Sequence, residues 1–328
     1  MMTATPHVVR SAAPGKVILL GEHAVVYGRA ALAASIDRYV EVTVTRAGGS
    51  ACPAAVAVGA VGATGPVPIQ ALRRAAELTG VNPAELETAV SANLPVGVGL
   101  GSSAALSVAL VRALAEFAGQ ALADSAVCAR AFELEKIFHG FPSGIDNTVV
   151  TYCCLIAFRR GSAVRPLVAG RPVPLVVALG GAPRETQKTV RGLRQRWEIR
   201  PELYEPLFDE IDCLVSAAES AIGTGDLQRL GALMNANHAL LQRLGVSTGE
   251  LDEMVALARA SGALGAKLTG GGGGGAVICL CHGDRERLVE AFTRAGWHAF
   301  STDIAGQDRG IDAADDAGRF ERRDGARA

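Results

Sequence analysis

VGVGLGSSAALSVALVRAL, residues 96–114, joins a glycine-rich turn to an apolar helix. Gly97, Gly99 and Gly101 free the backbone for tight turning and for close approach to a ligand. Ser102 and Ser103 open an Ala/Leu/Val-rich helix predicted over 102–118. The first turn of a helix leaves N–H groups without intrahelical partners, and the macrodipole favours negative charge there. The turn therefore predicts phosphate binding, with serine hydroxyls in reach of phosphate oxygens or Mg²⁺. The plainer alternative is a strand-to-helix turn capped by serine. Two commoner glycine patterns are excluded. No lysine follows Gly101, as a P-loop requires, and the spacing is G-x-G-x-G rather than the dinucleotide G-x-G-x-x-G.

Three further segments carry chemistry. In PGKVILLGEHAVVYG (14–28), Lys16 lies on an otherwise apolar strand, predicted over 13–20, that ends at Gly21-Glu22-His23. Such a lysine either emerges at an edge or points into a site, where it neutralises charge and lowers the pKa of a nearby hydroxyl. Glu22 and His23 are placed to hydrogen-bond a polar substrate. In LEKIFHGFPSGIDN (134–147), Glu135 lies in the last turns of a helix predicted from about Asp124 to His139. Asp146 follows the glycine-proline turn. Two carboxylates there suit two tasks, Glu135 on a metal and Asp146 accepting or orienting a proton. Mg²⁺ takes such hard oxygen ligands, one or two per site, and completes its shell with phosphates and water. His139 reads most simply as a cation at a helix C-terminus. In KLTGGGGGGAVICL (267–280), a strand runs into six glycines and resumes as another strand. So open a backbone wraps closely around a phosphate or another loop.

The 328-residue chain suits about two domains at roughly 150 residues each. A hydrophobic content of 49% and a mean hydropathy of +0.25 argue against general disorder. A net charge of −1 and a pI near 6.6 give no electrostatic footprint for nucleic acid or an anionic membrane. No long apolar run or signal-peptide core is visible. The seven cysteines include no C-x₂-C pair, so they read as free thiols in a reducing cytoplasm. Further elements are a strand over 39–45, a helix over 67–79, three helices near 203–223, 226–244 and 248–261, strands at 264–269, 276–281 and 297–303, and a helix at 284–295. Residues 1–172 form one expected domain and 173–305 a second, with 306–328 an expected disordered tail. Strands interleaved with helices argue for an α/β or α+β architecture.

In this order the pieces resemble the GHMP kinase superfamily, which includes galactokinase and the kinases of homoserine, mevalonate and phosphomevalonate. The resemblance covers the chain to about residue 303. PGKVILLGEHAVVYG is similar to the branch that acts on mevalonate. Galactokinases show Glu-His-Thr-Asp-Tyr where this chain has Glu22-His23-Ala24-Val25-Val26, and the decarboxylases of the pathway carry a Lys-Tyr-Trp-Gly-Lys segment absent here. MNANHALLQRLGVSTGELD (234–252) is similar to a helix pair of the same branch.

The resemblance implies an α+β, two-domain fold. Its N-terminal domain is like domain 2 of ribosomal protein S5, its C-terminal domain is ferredoxin-like, and ATP lies between them. It implies ATP and Mg²⁺ as cofactors, mevalonate as a small-molecule partner phosphorylated on its 5-hydroxyl, no nucleic-acid or membrane partner, and a cytoplasmic setting; it allows for a homodimer. Asp146 would be the catalytic aspartate, with Lys16 beside the substrate hydroxyl and the γ-phosphate. Glu135 and a serine of the 102–103 pair, Ser103 being favoured, would bind Mg²⁺. Gly97, Gly99, Leu100, Gly101, Ser102, Ser103 and Ala104 would cradle the triphosphate. Glu22, His23 and Thr186 would help hold the substrate. Two positions depart from the family pattern: Gln187 stands where lysine is usual after the threonine, and Gly271 stands where alanine is usual. Two other readings stay open, another small-molecule kinase of the superfamily (for phosphomevalonate or a sugar) and a ligand-binding relative without catalysis. Lys16, Glu135 and Asp146 together argue against the second, because a sensor needs neither a base nor a metal ligand.

Overall fold

The computed structural model describes residues 8–47, 64–65, 67–139, 142–181 and 186–304; the expected tail at 306–328 and most of the Gly/Ala-rich stretch at 47–66 lie outside them. The element order is β1 (Val8–Leu20), β2 (Ala31–Arg46), β3 (Thr64–Gly65), α1 (Ile69–Thr79), β4 (Leu86–Ala92), α2 (Ser102–Phe117), α3 (Asp124–His139), α4 (Ile145–Tyr152), β5 (Leu155–Phe158) and β6 (Arg165–Pro166). It continues with β7 (Val173–Leu179), α5 (Thr186–Ile199), α6 (Pro201–Thr224), α7 (Leu227–Arg243), α8 (Gly249–Ala260), β8 (Gly265–Thr269), β9 (Ala276–Leu280), α9 (Arg285–Arg294) and β10 (His298–Ile304).

The first sheet is built on β2. Along Val40, Val42 and Val44 the side chains alternate inward, as a half-buried strand requires. The expected strand at 39–45 is only the second half of this element. From Ala31 to Ile36 every residue is buried, so the small side chains there show no alternation to read. β1 pairs antiparallel with β2, while the other edge of β2 takes β5 along Ala31–Ala34 and β4 along Val40–Arg46. Helix α2 packs on β1 and β2 with α1, α3 and α4 beside it. The second sheet has the order β10-β7-β9-β8, all antiparallel, and carries α7, α8 and α9. Helices α4 and α5 and strands β4 and β5 were not legible as elements in the sequence.

Specific contacts tie the two sheets together. Thr269 Oγ1 accepts from the Ile18 N–H at 3.0 Å and donates to the Ile18 carbonyl at 3.1 Å, closing β8 onto β1. Thr302 Oγ1 donates to Asp37 Oδ1 at 2.6 Å. Arg29 and Arg159 grip Glu205, Asp209 and Asp212 of α6. Among the described residues no helix is long and apolar enough to cross a membrane.

The six-glycine run is a loop wedged against the α7–α8 link. Gly270 and Gly272 to Gly275 take left-handed φ, and Gly273 N–H donates to the Val246 carbonyl at 3.0 Å. A Cβ on Gly272 would stand 2.1 Å from that same carbonyl oxygen. Gly271 is outside the left-handed set, so its backbone conformation is one that alanine adopts without strain. Gly272→Ala is therefore expected to destabilise by about 1–3 kcal/mol, and Gly271→Ala to be neutral or stabilising by about 0.5 kcal/mol. Urea unfolding checks both; a Gly272→Ala variant as stable as the parent would contradict this packing.

Candidate active site

The site forms where the end of β1, the 96–104 turn, and helices α3 and α4 meet. Lys16 N–H donates to the Leu100 carbonyl at 2.8 Å, which pins the glycine turn to β1. The Lys16 stem then crosses Gly101, where a Cβ would lie 2.7 Å from Lys16 Cγ. Gly101 has φ 77° and immediately precedes α2, so it both turns the chain and leaves room for the lysine. Lys16 is only 2% exposed, and its Nζ lies 3.0 Å from Asp146 Oδ1. Asp146 sits in the first turn of α4, where the macrodipole favours a carboxylate, and about a third of its side chain (31%) faces solvent.

Helical spacing assembles a second cluster beside this pair. Ser103 and Ser107 lie on one face of α2, and Glu135 and His139 on one face of α3, each pair at i,i+4. Both serine hydroxyls donate to Glu135 at 3.2 Å, one to each oxygen. His139 Nε2 is 2.9 Å from Ser103 Oγ and 3.7 Å from Glu135 Oε2. His139 thus joins the site rather than merely ending a helix. Burial first, and then the Asp146 charge, push the Glu135 carboxyl up to about 8 against the two serine hydrogen bonds and Lys16. Ser102 turns the other way, its hydroxyl accepting from the Gly97 N–H at 3.5 Å. Of the two serines, Ser103 is the one that faces Glu135.

Two expected site residues are placed differently. Glu22 is 1% exposed and faces the interior, where each of its oxygens accepts a hydrogen bond from the second half of the chain. Lys267 Nζ donates to Glu22 Oε1, and Asn237 Nδ2 donates to Oε2 at 3.3 Å. Leu100 is fully buried and gives its carbonyl to Lys16, so it anchors the turn rather than lining it. His23 follows at the end of β1 with φ 62°, a strained setting of the kind found at functional sites. The Ala24–Tyr27 turn after it is clamped by Tyr27, which stacks on Phe208 with centroids 4.2 Å apart and tilts against Trp197 at 4.9 Å. Thr186 opens α5, but its side chain lies outside the described residues, as does that of Gln187. Gly97 is exposed and Ser102 and Ser103 are half-buried, whereas Gly99, Gly101 and Ala104 are buried. Sequence reasoning missed Ser107, whose signal was its four-residue offset from Ser103. It also missed Lys267, a lysine at the centre of a buried strand.

The donor set fits a hard divalent cation that shares its shell with phosphates: one carboxylate, held close to its point of ionisation, and an adjacent hydroxyl. Among the described residues there is no group of three or more acidic, histidine or cysteine side chains that could hold a metal by itself.

The GHMP kinases N terminal domain profile matches residues 66–154, and the GHMP kinases C terminal profile matches 214–298. Mevalonate kinase from Pyrococcus abyssi is 35% identical, covering 92% of this chain and 96% of its own length. Mevalonate kinase from Aeropyrum pernix is 37% identical, covering 90% and 96%. The crystal structure of L. major mevalonate kinase in complex with R-mevalonate superposes with a TM-score of 0.81 at 32% identity, covering 92% of this chain and 97% of that one.

The Glu135 environment has a measurable consequence. A carboxyl whose pKa rises on folding, here from 4.5 to about 8, holds its proton more tightly in the folded chain. Its stabilising contribution is full below the lower value and is lost as pH climbs toward the higher one. Metal-free protein should therefore melt at a lower temperature at pH 8 than at pH 5, and Glu135→Gln should remove that part of the slope. An unchanged slope in the variant would contradict the assignment.

Proposed function

The chain belongs to the GHMP kinase family, and on that premise we propose how its site works. It transfers the terminal phosphoryl group of ATP to mevalonate, giving 5-phosphomevalonate for isoprenoid biosynthesis. The observation that carries the residue roles is the Lys16–Asp146 pair, set at 3.0 Å against the mouth of the glycine turn.

In phosphoryl transfer the protein contributes chiefly positioning and electrostatic stabilisation. The N–H groups of Ser102, Ser103 and Ala104, with the open backbone at Gly97, Gly99 and Gly101, hold the phosphates at the start of α2. Asp146, about a third exposed, accepts or orients the proton of the substrate hydroxyl. Lys16 stabilises the charge that develops between that hydroxyl oxygen and the transferred phosphoryl. Its ammonium is already desolvated and paired, so little reorganisation is needed when the substrate arrives. Glu135 and Ser103 are the residues that would hold Mg²⁺, which when bound neutralises phosphate charge. His23, displayed by the strained end of β1, and Thr186, at the start of α5, are assigned to the acceptor in this reading. Glu22 does not touch it. The described cysteines form no disulfide, which fits a reducing cytoplasm.

A coupled assay of ADP release with mevalonate, phosphomevalonate, galactose and homoserine tests the function. Turnover should be confined to mevalonate. In the same assay Asp146→Asn should lower kcat by about 100-fold or more, with ATP affinity nearly unchanged. Near-parental turnover by that variant would remove Asp146 from its role.

A further inference from the structure

Four charges converge at the end of β1, and they divide into two pairs. Lys16 holds Asp146, and Lys267 holds Glu22. The pairs are not independent. Lys16 lies close enough to Glu22 to favour its carboxylate, and close enough to Lys267 to disfavour its ammonium. The two carboxylates also differ in their alternatives. Asp146 is 31% exposed and can be solvated, whereas Glu22 is 1% exposed and cannot. A buried carboxylate without a counter-charge is far costlier than a hydrated one. If Glu22 lost its own cation, Lys16 would be the nearest replacement. Asp146 would be the group that could bear being left.

We propose that Lys267 is a positioning residue for phosphoryl transfer: by engaging Glu22, it keeps the Lys16 ammonium on Asp146. This inference rests on the roles given above to Lys16 and Asp146. Lys267 itself is fully buried, and among the described residues its ammonium bonds Glu22 and the Leu268 carbonyl, the latter at 2.6 Å. The groups facing Glu22 are Lys16 from β1, Lys267 from β8 and Asn237 from α7. His238 of α7 stands behind Lys267, hydrogen-bonded at 3.1 Å to Asp252 of α8. None of these except the two lysines is a cation positioned to neutralise Glu22, because burial holds the His238 imidazole toward its neutral form.

Removing the Lys267 charge leaves two outcomes that pH selects. While Glu22 is protonated, Lys16 stays on Asp146 and the site works. Once Glu22 ionises, Lys16 is drawn to it and the site fails. Lys267→Met should therefore keep its KM values for ATP and mevalonate within about threefold of the parent, while its kcat acquires a new alkaline limb that follows the ionisation of Glu22. At the alkaline end kcat should fall by about 100-fold. The double variant Glu22→Gln/Lys267→Met has no charge to attract Lys16. It should lose that limb and return kcat to within about tenfold of the parent. A role confined to stability would lower the melting temperature without placing a new ionisation in kcat. A Lys267→Met profile parallel to the parent's would overturn the proposal, as would a double variant as slow as the single one at alkaline pH. Should Lys267→Met not fold, the double variant decides alone: kcat within about tenfold of the parent supports the proposal, and a 100-fold loss overturns it. Parental turnover of mevalonate in the same runs separates failure of this inference from failure of the assigned activity.

Discussion

A lysine ammonium withdrawn from water on an apolar strand must find a counter-charge, and the site is organised around how Lys16 does so. Its partner Asp146 has to come from another element, which requires α4 to begin against the end of β1. Its stem needs a floor without a side chain, which makes residue 101 a glycine. Its backbone N–H takes the Leu100 carbonyl, which draws the glycine turn to the same place. Ammonium, carboxylate and glycine backbone are thus brought together by satisfying one desolvated group.

The second half of the chain fixes the end of that strand. Thr269 bonds both polar groups of the Ile18 backbone, Lys267 and Asn237 hold Glu22, and the aromatic stack of Tyr27 on Phe208 clamps the turn that follows. His23 keeps its unfavourable φ because residues on both sides of it are held. Opposite, α2 and α3 meet through two i,i+4 faces that enclose the Glu135 carboxylate with hydroxyls and a histidine. Such a carboxylate is costly in the free protein and well suited to a cation.

Much of this was legible from residues alone. The glycine turn with its Ser-Ser start is a local signal, and so are the strand carrying Lys16 and the helix carrying Glu135. What was not legible depended on distant partners. Glu22 reads as a substrate ligand because it lies beside His23, yet its partners are at 237 and 267, far along the chain. His139 reads as a helix-end cation because nothing in its own segment announces Ser103. Helix α4, Ile-Asp-Asn-Thr-Val-Val-Thr-Tyr, is rich in β-branched residues that resemble a strand locally, and packing on α2 and α3 overrides that preference. Helix α5 carries a thin apolar stripe of Val190, Leu193 and Trp197 among charges, too sparse for periodicity to mark.

The central claim is that the Lys16–Asp146 pair directs the phosphoryl group of ATP to the primary hydroxyl of mevalonate. Proton-coupled ³¹P NMR of the completed reaction reads this directly. A phosphomonoester on the terminal CH₂–O carbon appears as a triplet, with ADP formed in equal amount, and that is the result expected. A phosphomonoester singlet, which marks attack by the tertiary hydroxyl, or loss of ATP with no phosphorylated mevalonate, would contradict the account.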